Sequence, residues 1–124
     1  MKQVLLVFLG GGLGSALRYL ISKPLNIVLQ NFFLGTFLVN IVGCFLIGII
    51  LGVSSKNNLL SPNSTLFLAT GFCGGFTTFS AFAFEKHSFL KNSELFNFSL
   101  YTIASIAIGI LAVALGLWIS RLGN

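Results

Sequence analysis

Residues 71–85 read GFCGGFTTFSAFAFE, and the reading of this stretch decides the fold. It lies inside a long apolar segment, yet it holds Gly74-Gly75, Thr77-Thr78, Ser80 and a run of phenylalanines. An uninterrupted membrane helix has no need of that mixture. Paired glycines weaken a helix, because glycine loses the most backbone entropy on being ordered. Neighbouring hydroxyls re-satisfy the backbone groups that a break sets free. The stretch therefore predicts a broken helix that lines or supports a site, with the rest of the chain as its housing.

That housing is an all-α integral membrane protein. Of the 124 residues 56% are hydrophobic and 7% are charged, against about 25% charged in a soluble domain. A span needs roughly 20 apolar residues, so the length suits one domain, residues 1–124, with four spans and short connections. The net charge of +5 comes mostly from Lys2, Lys23, Lys56, Lys86, Lys91 and Arg121, near the predicted span ends. That is where interfacial anchors sit, so membrane lipid rather than nucleic acid is the expected partner. Cys44 and Cys73 fall in apolar spans and read as small packing residues. With a single histidine, His87, in a loop, neither a disulfide nor a ligand-spaced metal cluster is expected. Lys2 before an apolar run resembles the start of a signal peptide. GGGLGS then leads into Arg18 and Tyr19 without a clear cleavage site, so the segment counts as the first span.

Span one is predicted over about Val4–Ile21, ending at Lys23-Pro24, with Leu25–Asn31 as an interfacial turn. Gly10 and Gly14 are at G-x-x-x-G spacing, with Gly11 and Ser15 on the adjacent stripe; such faces let helix backbones approach closely in lipid. Arg18 lies within the span. It reads either as an arginine snorkelling from a helix end or as a fixed charge at a vestibule mouth, and the two are compatible. Span two, about Phe32–Val53, has small residues at Gly35, Gly43, Gly48 and Gly52, and one interior amide, Asn40. An unpaired buried amide costs about 2–7 kcal/mol. Asn40 must therefore face a partner on another helix or donate into a water-filled path. A polar loop, SSKNNLLSPNST, precedes span three, about Leu66–Phe84, whose exit is marked by Glu85, Lys86 and His87. Span four covers about Leu95–Ser120, with Tyr101, Ser105 and Gly109 in one row and Ala112 and Gly116 as a small pair. Tyr101 and Ser105 read equally as a belt tyrosine with a back-bonded hydroxyl or as a polar track.

Absent charges narrow the function. Glu85 and Glu94 are the only acids, and both read as loop-proximal. Cation pores and proton-coupled carriers place carboxylates in their pathways. The small multidrug-type cation transporter that four short spans suggest is therefore the alternative reading rather than the first. Hydroxyls, one amide, one guanidinium and electropositive ring edges favour a small anion. An enzyme is not expected, because Thr78 and Ser80 have no base at membrane depth. A non-transporting assembly subunit is a third reading, motivated by the small-residue faces. Lys2, Lys56 and Arg121 flank one side of the spans and Lys23, Lys86 and Lys91 the other. The positive-inside rule then leaves two possibilities open: dual insertion, with two opposed copies forming a two-fold dimer, or a bias too small to read.

Three segments together resemble the Fluc (CrcB) family of fluoride channels: GGGLGSALRY (10–19), GTFLVNIVGCFLIG (35–48) and GFCGGFTTFSAFAFE (71–85). The resemblance covers essentially the whole chain, and the third motif is the most specific. It implies a dual-topology homodimer, assembled antiparallel, with two fluoride pathways and a central structural sodium ion. The sodium is held by backbone carbonyls at the break in the third helix, matching Gly74 and Thr77 from both subunits. A hard cation takes oxygen ligands, and a broken helix supplies them.

By the same resemblance the ring edges of Phe79 and Phe82 contact fluoride, and Asn40 matches a pore-lining asparagine. Tyr101 and Ser105 match a polar track, Thr78 and Ser80 extend the hydroxyl lining, and Arg18 matches a vestibule arginine. Glu85 matches an acidic residue at the end of span three. The other phenylalanines read as packing or lipid-facing residues. The chain departs from the family pattern at Gly109, where another hydroxyl is expected. The expectation is passive fluoride export across a microbial inner or plasma membrane, relieving fluoride toxicity.

Overall fold

The computed structural model describes residues 1–29, 32–56 and 59–123. Among these the chain is entirely helical apart from short connections: α1 (Lys2–Val28), α2 (Leu34–Ser55), α3 (Pro62–Thr65), a π-helical segment (Leu66–Cys73), α4 (Gly74–Phe76), α5 (Phe79–Lys91) and α6 (Leu95–Leu122). Four stretches, Lys2–Val28, Leu34–Ser54, Pro62–Lys91 and Leu95–Leu122, are long and apolar enough to cross a membrane. The protein is a multi-pass membrane protein.

Small residues set which helices meet. The first span packs on the π segment and α4, and α2 packs on α6. A methyl group on Gly10 or Gly14 would overlap the backbone at Phe67 or Phe72, and one on Gly75 would overlap Gly11. Gly48 and Gly116 press in the same way against Val113 and Phe45. Lipid tails supply no hydrophobic drive between helices, so this close approach is the main source of helix association. Gly14→Leu is expected to prevent the first span from seating. Overpacking costs about 1–3 kcal/mol where neighbours can yield, and here the neighbour is backbone. Loss of the monodisperse peak in size-exclusion chromatography checks it; a wild-type profile would show that the helices separate freely.

Three sequence expectations change. Span one does not end at Lys23-Pro24: α1 carries Pro24 inside it and runs on to Val28. Proline removes one helical hydrogen bond, but the added turn brings Asn26 to α2. Its Oδ1 accepts from the Thr36 amide at 3.1 Å and its Nδ2 donates to Thr36 Oγ1 at 3.3 Å, satisfying one of the amides a helix start leaves open. Of the expected turn, Leu25–Val28 are helical, and Gln30 and Asn31 lie outside the described residues, as do Asn57 and Asn58 of the polar loop. The loop itself is shorter than expected, since Ser54 and Ser55 end α2 and Ser61 caps α3, its Oγ accepting from the Ser64 amide at 3.1 Å.

The second change concerns the glycine pair. Gly74 and Gly75 stay helical, within α4. The extended residues are Thr77 (φ −86°, ψ 158°) and Thr78 (φ −147°, ψ 120°). Gly75 serves close approach to α1, whereas a Cβ on Gly74 would meet nothing within 4 Å.

The third concerns Glu85 and Lys86, which do not mark an exit. Helix α5 continues to Lys91, and the two residues are 4% and 7% exposed. Phe82, Lys86 and Phe89 share one helical face, and that face packs against α6. Lys86 therefore leaves the tally of charges at span ends, and Lys23 lies inside α1 rather than at its end.

Candidate functional site

Where the backbone turns extended at Thr77 and Thr78, two amides are diverted from helical bonding. In a continuous helix the Thr78 amide would donate to the Gly74 carbonyl; here it donates to Asn40 Oδ1 at 2.7 Å. The Ala81 amide would donate to the Thr77 carbonyl; it donates instead to Thr78 Oγ1 at 3.2 Å, which caps α5. Asn40 completes its clamp by donating from Nδ2 to the Thr78 carbonyl at 3.1 Å. The carbonyls of Gly74 and Thr77 are thus released from the helix ladder. These are oxygen donors of the kind a hard cation takes, so the residues fit a sodium ion as far as one chain can supply ligands. Among the described residues no group of three or more His, Cys, Asp or Glu side chains is placed to hold a metal.

Beside the interruption lies a cavity of about 500 Å³. Asn40 and Cys44 of α2, Thr70 and Cys73 of the π segment, Gly74, Thr77, Thr78, Phe79, Phe82 and Ser105 all contribute to its lining. Among the described residues no carboxylate lines it. Phe79 and Phe82 sit with ring centroids 5.9 Å apart, and Phe79 is 79% exposed. Ser105 Oγ is buried with no hydrogen-bond partner among the described residues.

Three of the expected site residues do not line this cavity. Arg18 donates from Nε to the Gly75 carbonyl at 3.0 Å, and Ser15 Oγ reaches the same oxygen at 3.3 Å. Both groups tie α1 to α4. Ser80 is exposed, its Oγ 3.2 Å from Thr78 Oγ1. Tyr101 is wholly buried behind the cavity wall, its ring stacked on Phe82 at 5.5 Å. Its hydroxyl donates to Glu85 Oε2 at 3.0 Å, while Thr36 Oγ1 donates to Glu85 Oε1. Asn26, Thr36, Glu85 and Tyr101 thereby form one polar chain across four helices, half-buried at Asn26 and buried from Thr36 to Tyr101.

Sequence reasoning missed Asn26 and Thr36 and misplaced Glu85. The signal for Thr36 was present: it precedes Asn40 by one helical turn on α2, which puts both polar groups on the same face. Asn26 had no such signal, because proline made its segment read as a turn. At Gly109 the missing hydroxyl faces Cys44, whose Sγ would lie 3.6 Å from an added Cβ.

Residues 5–117 match the family model described as CrcB-like protein, Camphor Resistance (CrcB). The chain is 48% identical to the fluoride-specific ion channel FluC of Gloeothece citriformis, an alignment covering 99% of this chain and 100% of that protein. It is 47% identical to the fluoride-specific ion channel FluC of Phocaeicola vulgatus, over 98% of this chain and 100% of that one. With the protein of the same name from Azobacteroides pseudotrichonymphae it shares 44% identity, over 94% of each chain.

Proposed function

The chain belongs to the CrcB-like family, and from that premise we propose that it is a fluoride-specific channel through which fluoride leaves the cell passively. Its matched relatives are named as ion channels, and it is not an enzyme. The observation that carries the reading to this chain is the cavity at Thr77–Thr78. It joins the Asn40 clamp, the Thr78 and Ser105 hydroxyls and the Phe79–Phe82 pair, with no carboxylate among the described residues of its lining. Ring edges are electropositive and hydroxyls donate, so these groups suit a small anion, while the Gly74 and Thr77 carbonyls at the same break suit a sodium ion.

The physiological direction follows from acid–base chemistry. Hydrogen fluoride crosses lipid as a neutral acid and ionises in a less acidic cytoplasm. A channel in the inner or plasma membrane then lets the trapped anion leave, aided by an inside-negative potential, and fluoride toxicity is relieved.

The working unit is an antiparallel homodimer of dual topology, its third span broken at Thr77–Thr78, with two fluoride pathways and one sodium ion between the breaks. Gly74 borders open space and Phe79 is largely uncovered, as residues meeting a second copy in the membrane would be. The carbonyls of Gly74 and Thr77 from each subunit would hold the sodium, which neutralises no charge and instead fastens the two breaks together.

The direct test is purified protein in liposomes loaded with fluoride and chloride, followed by ion-selective electrodes. Fluoride efflux without a proton gradient, and no chloride efflux, is expected; proton-driven cation uptake, or no ion movement, would overturn the reading. Sodium has its own test. An ion that binds only the assembled dimer stabilises it by about 2.7 kcal/mol at a hundredfold excess over Kd. Exchange of sodium for N-methylglucamine during purification is therefore expected to lower the dimer's thermal midpoint and its efflux, with recovery on adding sodium back. A midpoint and flux indifferent to sodium would remove the ion from the assembly.

A further inference from the structure

Lys86 is a buried cation with no hydrogen-bond acceptor among the described residues. Its Nζ stands 3.4 Å from the ring centroid of Tyr101, 5.0 Å from Phe89, 5.1 Å from Phe82 and 5.7 Å from Phe98. A cage of four rings is a favourable place for a desolvated ammonium, since each face attracts a cation. Two of these rings are stacked on one another, and one of them, Phe82, also forms the cavity wall. The positive charge thus sits one ring behind the proposed anion path.

We propose that Lys86 is a positioning charge of the fluoride path, raising anion occupancy in the cavity through the ring of Phe82. The proposal rests on the channel reading above. Two physical effects act in the same direction. An ammonium over a ring draws its π cloud towards itself, so the rest of the ring offers an anion a more positive surface. The charge also acts across packed aromatic groups rather than water, where Coulomb attraction is several times stronger. A third consideration is the neighbouring carboxyl. Glu85 is buried behind the cavity wall with Thr36 and Tyr101 as its donors, and a carboxylate held there opposes an anion in the cavity. Lys86, next to it in sequence and also buried, offsets that opposition.

The competing role is mechanical: Lys86 merely pins α5 to α6. Liposome efflux of wild type, Lys86→Met and Lys86→Arg separates the two. Methionine keeps the length and apolar stem of the side chain, and arginine keeps the charge. For Lys86→Met, a rise of about tenfold in the half-saturating fluoride concentration is expected, the scale of removing one nearby charge from a partly dry interior. Lys86→Arg is expected within about threefold of wild type on the same scale. A structural role would instead lower the fraction of active liposomes and leave half-saturation unchanged.

Lys86→Gln serves as a second neutral variant should methionine not yield monodisperse protein. Wild-type half-saturation in a neutral variant overturns the proposal, and so does an arginine variant as impaired as the neutral ones. Failure of both neutral variants to assemble assigns Lys86 to packing and overturns it too. A wild-type protein that moves no fluoride would instead overturn the channel reading, so the two failures are distinct.

Discussion

Asn40→Leu is expected to reduce fluoride efflux from liposomes to nearly the leak of protein-free vesicles. Both polar groups of the Asn40 side chain are engaged with the backbone of Thr78, at 2.7 Å and 3.1 Å. Leucine fills much of the same volume and makes neither bond. The Thr78 amide and carbonyl then have two options. They stay unpaired in an apolar interior, at about 1–3 kcal/mol each. Alternatively, the amide returns to the Gly74 carbonyl and the extended pair collapses into a continuous helix. The first outcome destabilises the site by a few kcal/mol, where each 1.4 kcal/mol is about tenfold in an equilibrium. The second removes the released carbonyl and rotates Phe79 and Phe82 away from the cavity. Either outcome closes the path. Efflux within twofold of wild type would mean that Asn40 neither holds the interruption nor serves the ion.

Phe82→Ile is expected to lower efflux by about tenfold or more while leaving the protein assembled, taking each lost aromatic partner as about 0.5–1.5 kcal/mol beyond its area. Phe82 is the ring on which the wall converges. It stacks on Tyr101 at 5.5 Å, meets Phe79 at 5.9 Å and carries Lys86 over its face at 5.1 Å. Isoleucine retains apolar contact but has no electropositive edge to offer an anion. Phe79→Ile is expected to fall less within one chain, because Phe79 is mostly exposed and Phe82 is its only aromatic partner among the described residues. Size-exclusion profiles and efflux traces from both variants check this. Unchanged efflux in the pair would remove both rings from the path.

Much of this was legible in the sequence because bilayer constraints are strict. Spans must be apolar and small residues must mark the contacts, so Gly10, Gly14, Gly48 and Gly116 announced the packing that the structure has. An interior amide needs a partner, so Asn40 was bound to matter, although only the fold names Thr78 as what it holds. The exact place of the interruption was not legible. Glycine pairs are weak helix formers on average, but Gly74-Gly75 is helical here. What diverts the backbone is a donor–acceptor match between Asn40 and a threonine 38 residues away, and no local propensity contains such a match. Glu85 and Lys86 misled for a related reason. Charges at the end of an apolar run usually lie at the membrane surface. Here Thr36, Tyr101 and a cage of rings from two helices accept them inside the protein.

That pair of buried residues also ties α5 to its neighbours in the bilayer. An unpaired charged side chain within a membrane span is costly, so α5, with Glu85 and Lys86 in one apolar stretch, is a poor candidate to settle in lipid by itself. Thr36, one partner of Glu85, is synthesised earlier than α5; Tyr101, along with Phe98 of the lysine cage, emerges from the ribosome later. The partners of Glu85 and Lys86 are therefore complete only with α6 lying along α5. Without Phe98 and Tyr101, Glu85 keeps only its Thr36 donor and Lys86 only the rings of Phe82 and Phe89. The polar and aromatic partners that hold Glu85 and Lys86 behind the cavity wall thus come together only when α2, α5 and α6 are all in place.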